Sequence, residues 1–339
     1  MKQRQSNIEL LRLLSMFFVL ILHADFLTLG APNIGDNISR PIGALTQYAF
    51  ESLAICCVDV FVIISGWFGI RFSFHKLEEF LFQVAFFSIG LFLLAAFFNP
   101  QKAFSIEGIK SVFLFNESDY WFIKAYLLLM ILAPILNAFC DNAPHREFKI
   151  ILLSYLAIMF VYGWLEPASI SFTMNGTTTL SFIGLYLVGR YMRIYRPNFT
   201  TYRKETDGMI YLSICILMTL VCWVLLSIGI RISLASRLFN YGCPLVIACA
   251  VSLFLFFSKC TFYNKFVNAS TKSCLAIYLL HHNIFVLPYY KQFVAKANEI
   301  GGIIMIIVFL LIISLFSILI DRVRIFLWNK SCRFFNLAE

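Results

Sequence analysis

Charge is what this chain is short of. Only 13% of its 339 residues are Asp, Glu, Lys or Arg, half of the roughly 25% usual in a soluble domain, while 60% are hydrophobic and Phe alone numbers 38. With a mean hydropathy of +0.83, that balance excludes an ordinary water-soluble fold. Metal-ligand spacing is missing as well. The ten cysteines form no CxxC and no Cys/His pattern, and Cys56 and Cys57 are merely adjacent, so no metal site is expected. There is no internal repeat, no low-complexity tract and no matched pair of Gly/Pro-broken helices of the kind inverted-repeat transporters carry. The first hydrophobic segment lacks a small-residue cleavage site after it, and reads as a retained span rather than a signal peptide.

What is present is hydrocarbon in lengths that cross a bilayer. Apolar stretches occur near 8–29, 44–70, 78–98, 121–139, 148–165, 178–195, 208–230, 237–258, 273–290 and 300–322, each close to the roughly 17–25 residues that a spanning helix needs. Lys and Arg fall unevenly between them. With a cytoplasmic N-terminus, one side holds Lys2, Arg4, Arg71, Lys76, Arg146, Lys149, the 190–204 cluster, Lys259, Lys265, Lys272 and the tail from Arg322 to Arg333. The other side holds only Arg40, Lys102, Lys110, Arg231, Arg237, Lys291 and Lys296. The expectation is an all-α integral membrane protein: a single bundle of about ten transmembrane helices, both termini cytoplasmic, one domain over 1–339 with no separate soluble part. The net charge of +9 then belongs to loops facing an anionic leaflet and gives no reason to invoke a nucleic acid.

The first span, "NIELLRLLSMFFVLILHADF" at 7–26, carries polar residues that lipid would not choose. In a helix, positions 12 and 23 lie about 20° apart around the axis and about 16 Å apart along it, so Arg12 and His23 share a face. Glu9 precedes Arg12 by one turn and can pair with it. Arg12 stays near the cytoplasmic boundary while His23 reaches the outer half of the membrane, and ionisable groups at such depth usually face a bundle interior or a cavity. A cation at the cytoplasmic mouth and an imidazole about three turns deeper suit a long donor with an anionic end and a reactive end, which is the shape of an acyl-CoA. Asp59 lies inside the second span and wants a partner such as His23 or Arg12. Ser65-Gly66 beside it permits close helix packing. His281 and His282 end an apolar run, where an interfacial position explains them as well as a functional one. Arg190, Arg193 and Arg196 recur at helical spacing on the cytoplasmic side and read as an anionic-lipid or positive-inside row.

These segments resemble a known family. "RLLSMFFVLILH" at 12–23 followed by "VDVFVIISGWF" at 58–68 is similar to the acyltransferase 3 family of membrane O-acyltransferases, and "YWFIKAYLLLMILAPILN" at 120–137 and "AIYLLHHN" at 276–283 agree with its later elements. The resemblance implies transfer of an acyl group, commonly acetyl from acetyl-CoA, to a hydroxyl of a carbohydrate or cell-envelope acceptor, in a multi-pass protein of the bacterial inner membrane. It implies His23 as the catalytic centre, with Asp59 orienting it and Arg12 holding the donor's phosphates. Many glycan-modifying members open the third span with Arg-x-x-Arg, whereas this chain reads "RFSFHKLEEFLFQ" at 71–83. Arg71, His75 and Lys76 can supply the positive charge there, and Glu78 and Glu79 stand where more of it is expected. Outer segments at 30–43, 99–120 and 165–177, rich in Gly, Asn, Ser, Thr or acidic residues, are the expected surroundings of the acceptor. Two rivals remain at this point: a transporter or flippase for a glycan or lipid-linked intermediate, and a non-catalytic component of a polysaccharide-assembly complex.

Overall fold

A computed structural model describes residues 5–115, 120–165, 174–229 and 236–334. Lys2, Arg4, Arg231 and parts of two expected outer segments, 116–119 and 166–173, lie outside the described residues. Among the described residues the chain is helical, with no strand. Lipid imposes this, because no water is present in hydrocarbon to satisfy a backbone amide that lacks an internal partner. The helices are α1 (Ser6–Ala24), closed by a π-helical turn at Asp25–Leu29, α2 (Ile34–Ser39), α3 (Pro41–Ala54), α4 (Cys57–Phe68), α5 (Phe74–Phe98), α6 (Pro100–Ala103), α7 (Ile106–Val112), α8 (Trp121–Asn142), α9 (His145–Phe160), α10 (Thr179–Tyr195), α11 (Lys204–Ser227), α12 (Pro244–Ser258), α13 (Lys265–Ser270), α14 (Cys274–His281) and α15 (Leu287–Phe334).

Seven segments among the described residues are long and apolar enough to cross a membrane: Ser6–Leu29, Pro41–Phe68, Phe74–Phe98, Trp121–Asn142, His145–Leu165, Lys204–Ser227 and Leu287–Cys332. Two further expected spans form shorter helices, α10 with 17 residues and α12 with 15. The stretch expected to run unbroken through 273–290 is interrupted instead. Between α14 and α15, Asn283 accepts from Phe285 N through its side chain at 3.0 Å and from Leu287 N through its carbonyl at 2.7 Å. A side chain that competes for backbone amides ends a helix where hydropathy shows only a continuous apolar run. Large apolar side chains point outward, Phe97 at 80% exposed and Leu319 at 66%, while Asp59, His281 and Asp321 are wholly buried. That inversion is the mark of a membrane protein.

The chain divides into two compact units, residues 1–71 with 122–268 and residues 72–121 with 269–339. In the first, α4 and α10 meet along their backbones. A Cβ on Gly66 would stand 2.2 Å from Tyr186 O, and one on Gly189 would stand 2.6 Å from Ile63 O, so the Gly66 expected to admit a close neighbour does so. α1 lies against α3 and α4, and α11 against α3 and α12. No side chain caps the start of α1. Asn264 N donates to Ser6 Oγ at 2.9 Å, Ser6 Oγ to Asn268 Oδ1 at 3.0 Å and Asn7 Nδ2 to Phe257 O at 2.9 Å, which fixes where α1 begins.

In the second unit a buried ion pair organises α5 and α15. Arg324 donates through Nε and Nη2 to the two oxygens of Asp321 at 2.9 and 2.8 Å. Gln83 Nε2 donates to Asp321 Oδ1 at 3.1 Å, and Glu79 lies 3.8 Å from Arg324. Fully buried charges persist only when paired and hydrogen-bonded in this way.

Candidate functional site

α1 is unbroken from Ser6 to Ala24, so the shared face of Arg12 and His23 read from the sequence is present. Glu9 Oε1 stands 3.3 Å from Arg12 Nη1, the pairing expected one turn earlier, and the arginine side chain is 34% exposed. His23 occupies the last turn, half-buried. Its carbonyl accepts from Thr28 Oγ1 of the π-helical turn that follows. Such turns are rare in helices and are often found at functional positions.

Asp59, in the first turn of α4, is 0% exposed, and neither of its carboxylate oxygens has a hydrogen-bond partner among the described residues. No hydrogen bond therefore joins it to His23. The groups on which its charge acts are the thiols of Cys56, Cys57 and Cys243. Of the expected donor-binding cations, Arg71 is exposed just beyond α4 at the end of the first unit, and Lys76 is exposed in the first turn of α5, in the second unit. The turn before Arg71 is held firmly. Gly69 adopts φ 71°, which suits glycine. Ile70 N donates to Tyr186 OH at 2.9 Å, Tyr186 OH to Asn137 Oδ1 at 2.7 Å, and Asn137 Nδ2 back to Ile70 O at 2.9 Å.

The arginines of α10 also have partners that spacing along one helix does not show: Arg190 is hydrogen-bonded to Asp141 of α8, Arg193 lies 5.3 Å over the Trp67 ring of α4, and Arg196 ends the helix in the left-handed region. His281 is enclosed by protein: it is 0% exposed, its Nδ1 donates to Ile277 O, and its ring lies 5.2 Å from Tyr290. His282 stacks on Tyr278 at 5.2 Å.

The sequence reading passed over a second group, at the same end of α1 as His23. Gln47 Nε2 on α3 donates to Asp25 Oδ1 at 2.8 Å and to Gly30 O at 3.3 Å. One turn further along α3 stands Glu51, 5% exposed and within electrostatic reach of Asp25. The signal was available, since Gln47 and Glu51 are polar residues four apart inside an apolar span and so share a face. Elsewhere in this unit an apolar cavity of about 550 Å³ is lined by Leu156, Phe160, Gly184, Leu185 and Ile247 among others, with no charged side chain. It offers nothing to phosphates. No group of three His, Cys, Asp or Glu side chains placed to hold a metal ion occurs among the described residues.

Comparison with known proteins bears on what this arrangement does. The family model described as an acyltransferase domain, that of the acyltransferase 3 family, matches residues 5–322. No curated protein and no solved structure matches the chain.

Proposed function

The chain belongs to the acyltransferase 3 family, and from that premise we propose that it moves an acyl group, acetyl above all, from acyl-CoA to a hydroxyl of a surface or precursor glycan. The observation that carries this reading is the common face of Arg12 and His23 on one unbroken helix, within the part of the chain that the family model matches. Arg12, with a third of its side chain open, supplies a planar fork for a phosphate of the donor. Arg71, exposed just beyond α4 in the same unit, supplies further charge. A donor anchored at Arg12 reaches about 16 Å along α1 to the level of His23.

There the neutral imidazole takes the proton of the acceptor hydroxyl as its oxygen attacks the thioester carbonyl. Collapse of the tetrahedral intermediate breaks the carbon–sulfur bond. The leaving thiolate takes the proton from the imidazolium, giving free CoA and the ester. Asp59 enters as a positioning residue for His23, since catalytic hydrogen bonds often tighten only in the complex. The protein is placed in the bacterial inner membrane with both termini cytoplasmic, the side on which acyl-CoA is made.

His23→Ala tests the assignment. It is expected to lower acyl transfer by roughly 10²–10⁴-fold, read as loss of the acetyl mass increment on cell-surface glycan, while the amount of protein in the membrane stays normal. A variant that keeps substantial activity removes His23 from the chemistry. Glycan export without consumption of labelled acetyl-CoA would replace the enzyme with a transporter.

A further inference from the structure

The group of Asp25, Gln47 and Glu51 at the far end of α1 is made of acceptors. Asp25 is 7% and Glu51 5% exposed, and Asp25 Oδ2, Gln47 Oε1 and Glu51 Oε2 all lack a hydrogen-bond partner among the described residues. The amide of Gln47 is not free to supply a donor there. Its NH₂ faces two oxygens, Asp25 Oδ1 and Gly30 O, and turning it over would set oxygen against oxygen at both. Among the described residues no cation forms an ion pair with either acid. Arg40, whose charge reaches Asp25, is paired with Asp36 at 3.0 Å. On α11, Trp223 packs against the cluster of Ala44, Tyr48 and Cys222, and its indole Nε1 also lacks a partner; Cys222 is within reach of the Glu51 charge. Buried polar groups are nearly always satisfied in native proteins, so several orphaned acceptors in one place and an orphaned donor on the adjoining cluster need an account.

We propose that Asp25, Gln47 and Glu51 form the subsite that binds hydroxyl groups of the acyl acceptor. The inference rests on the reading of the chain as a hydroxyl acyltransferase. A sugar fits the inventory, because each hydroxyl both donates, to the carboxylates and the amide oxygen, and accepts, from an indole N–H. Position supports the same occupant: Asp25 opens the π-helical turn at the end of α1 where His23 lies, so the subsite and the imidazole stand at nearly the same depth along the helix. The subsite also sets a class. With no cation paired to either acid among the described residues, the subsite suits a neutral polyol and offers nothing to receive the anionic group of a uronate or phosphosugar.

The test uses the full-length protein in detergent with a base-deacylated glycan fraction from cells lacking the gene. Saturation-transfer NMR reports glycan binding without turnover, labelled acetyl-CoA reports donor affinity, and product formation gives the acceptor KM. Glu51→Gln and Asp25→Asn keep shape and remove charge; Gln47→Met removes one acceptor and guards against a misfolded carboxylate variant. The expected result is loss of the NMR signals in the two carboxylate variants, a rise of tenfold or more in acceptor KM with kcat changed little, and unchanged donor affinity. In the wild type, methyl glucoside is expected to compete with the glycan and glucuronate not to. Equal NMR signals and acceptor KM in wild type and all variants would overturn the subsite, as would a parallel loss of donor affinity; a carboxyl pair that only shares a proton gives the first of these. Glycan binding that depends on Glu51 in a protein that transfers no acetyl would keep the subsite and remove the acyltransferase reading alone.

Discussion

Arg12 shows what one residue contributes when its partner and its neighbours are both known. Glu9 holds the guanidinium at one edge, at 3.3 Å, leaving the geometry of the fork set by the helix rather than by solvent. Arg12→Lys keeps the charge and loses the planar fork, so CoA affinity in detergent is expected to fall, and Arg12→Ala is expected to lower it further. Equal affinities for the three proteins would reduce Arg12 to a helix anchor. Arg12 and His23 were legible in the sequence because both lie on one helix, where spacing alone fixes a shared face. Asp25, Gln47 and Glu51 were not read together, since the hydrogen bond that unites them runs between α1 and α3 and no periodicity reports a contact between helices. For Asp59 the spacing suggested a partner in His23, and burial without a hydrogen bond is what the fold provides.

Between elements, the tightest constraint is the seam of α4 and α10. Gly66→Ala would drive a methyl group to 2.2 Å from Tyr186 O, a backbone atom that cannot swing aside, and Gly189→Ala would meet Ile63 O at 2.6 Å. Both are expected to destabilise by about 1–3 kcal/mol or more, Gly66→Ala the worse. Gly90→Ala on α5, with no atom within 4 Å of the new methyl, is the neutral control. Thermal unfolding in detergent ranks the three, and a Gly66→Ala protein as stable as the Gly90 variant would show that the seam has slack. The arginines of α10 show the same limit of periodicity: spacing puts Arg190, Arg193 and Arg196 in one row, while the partners Asp141 and Trp67 stand on two other helices. The break at Asn283 was hidden for a related reason, because hydropathy sums side-chain transfer and ignores where an amide side chain can hydrogen-bond.

At the scale of the whole molecule, the all-helical membrane architecture was legible from composition, and seven of the expected spans appear as helices long enough to cross. The proposed sidedness leads to a vesicle experiment. With labelled acetyl-CoA on the cytoplasmic face and an impermeant glycan on the other, product is expected only when the acceptor is outside; product that requires both on the cytoplasmic face would refute the cross-membrane arrangement. The pairing of Asp321 with Arg324 bears on an earlier event, the entry of the chain into the bilayer. A single charge at the middle of an inserting helix costs about 2.5–3.5 kcal/mol on insertion scales. Here the two opposite charges sit three residues apart on α15, so they can neutralise one another before any other helix arrives. The pair is therefore neutral within α15 itself, and Gln83 and Glu79 of α5 meet a dipole rather than a lone buried charge.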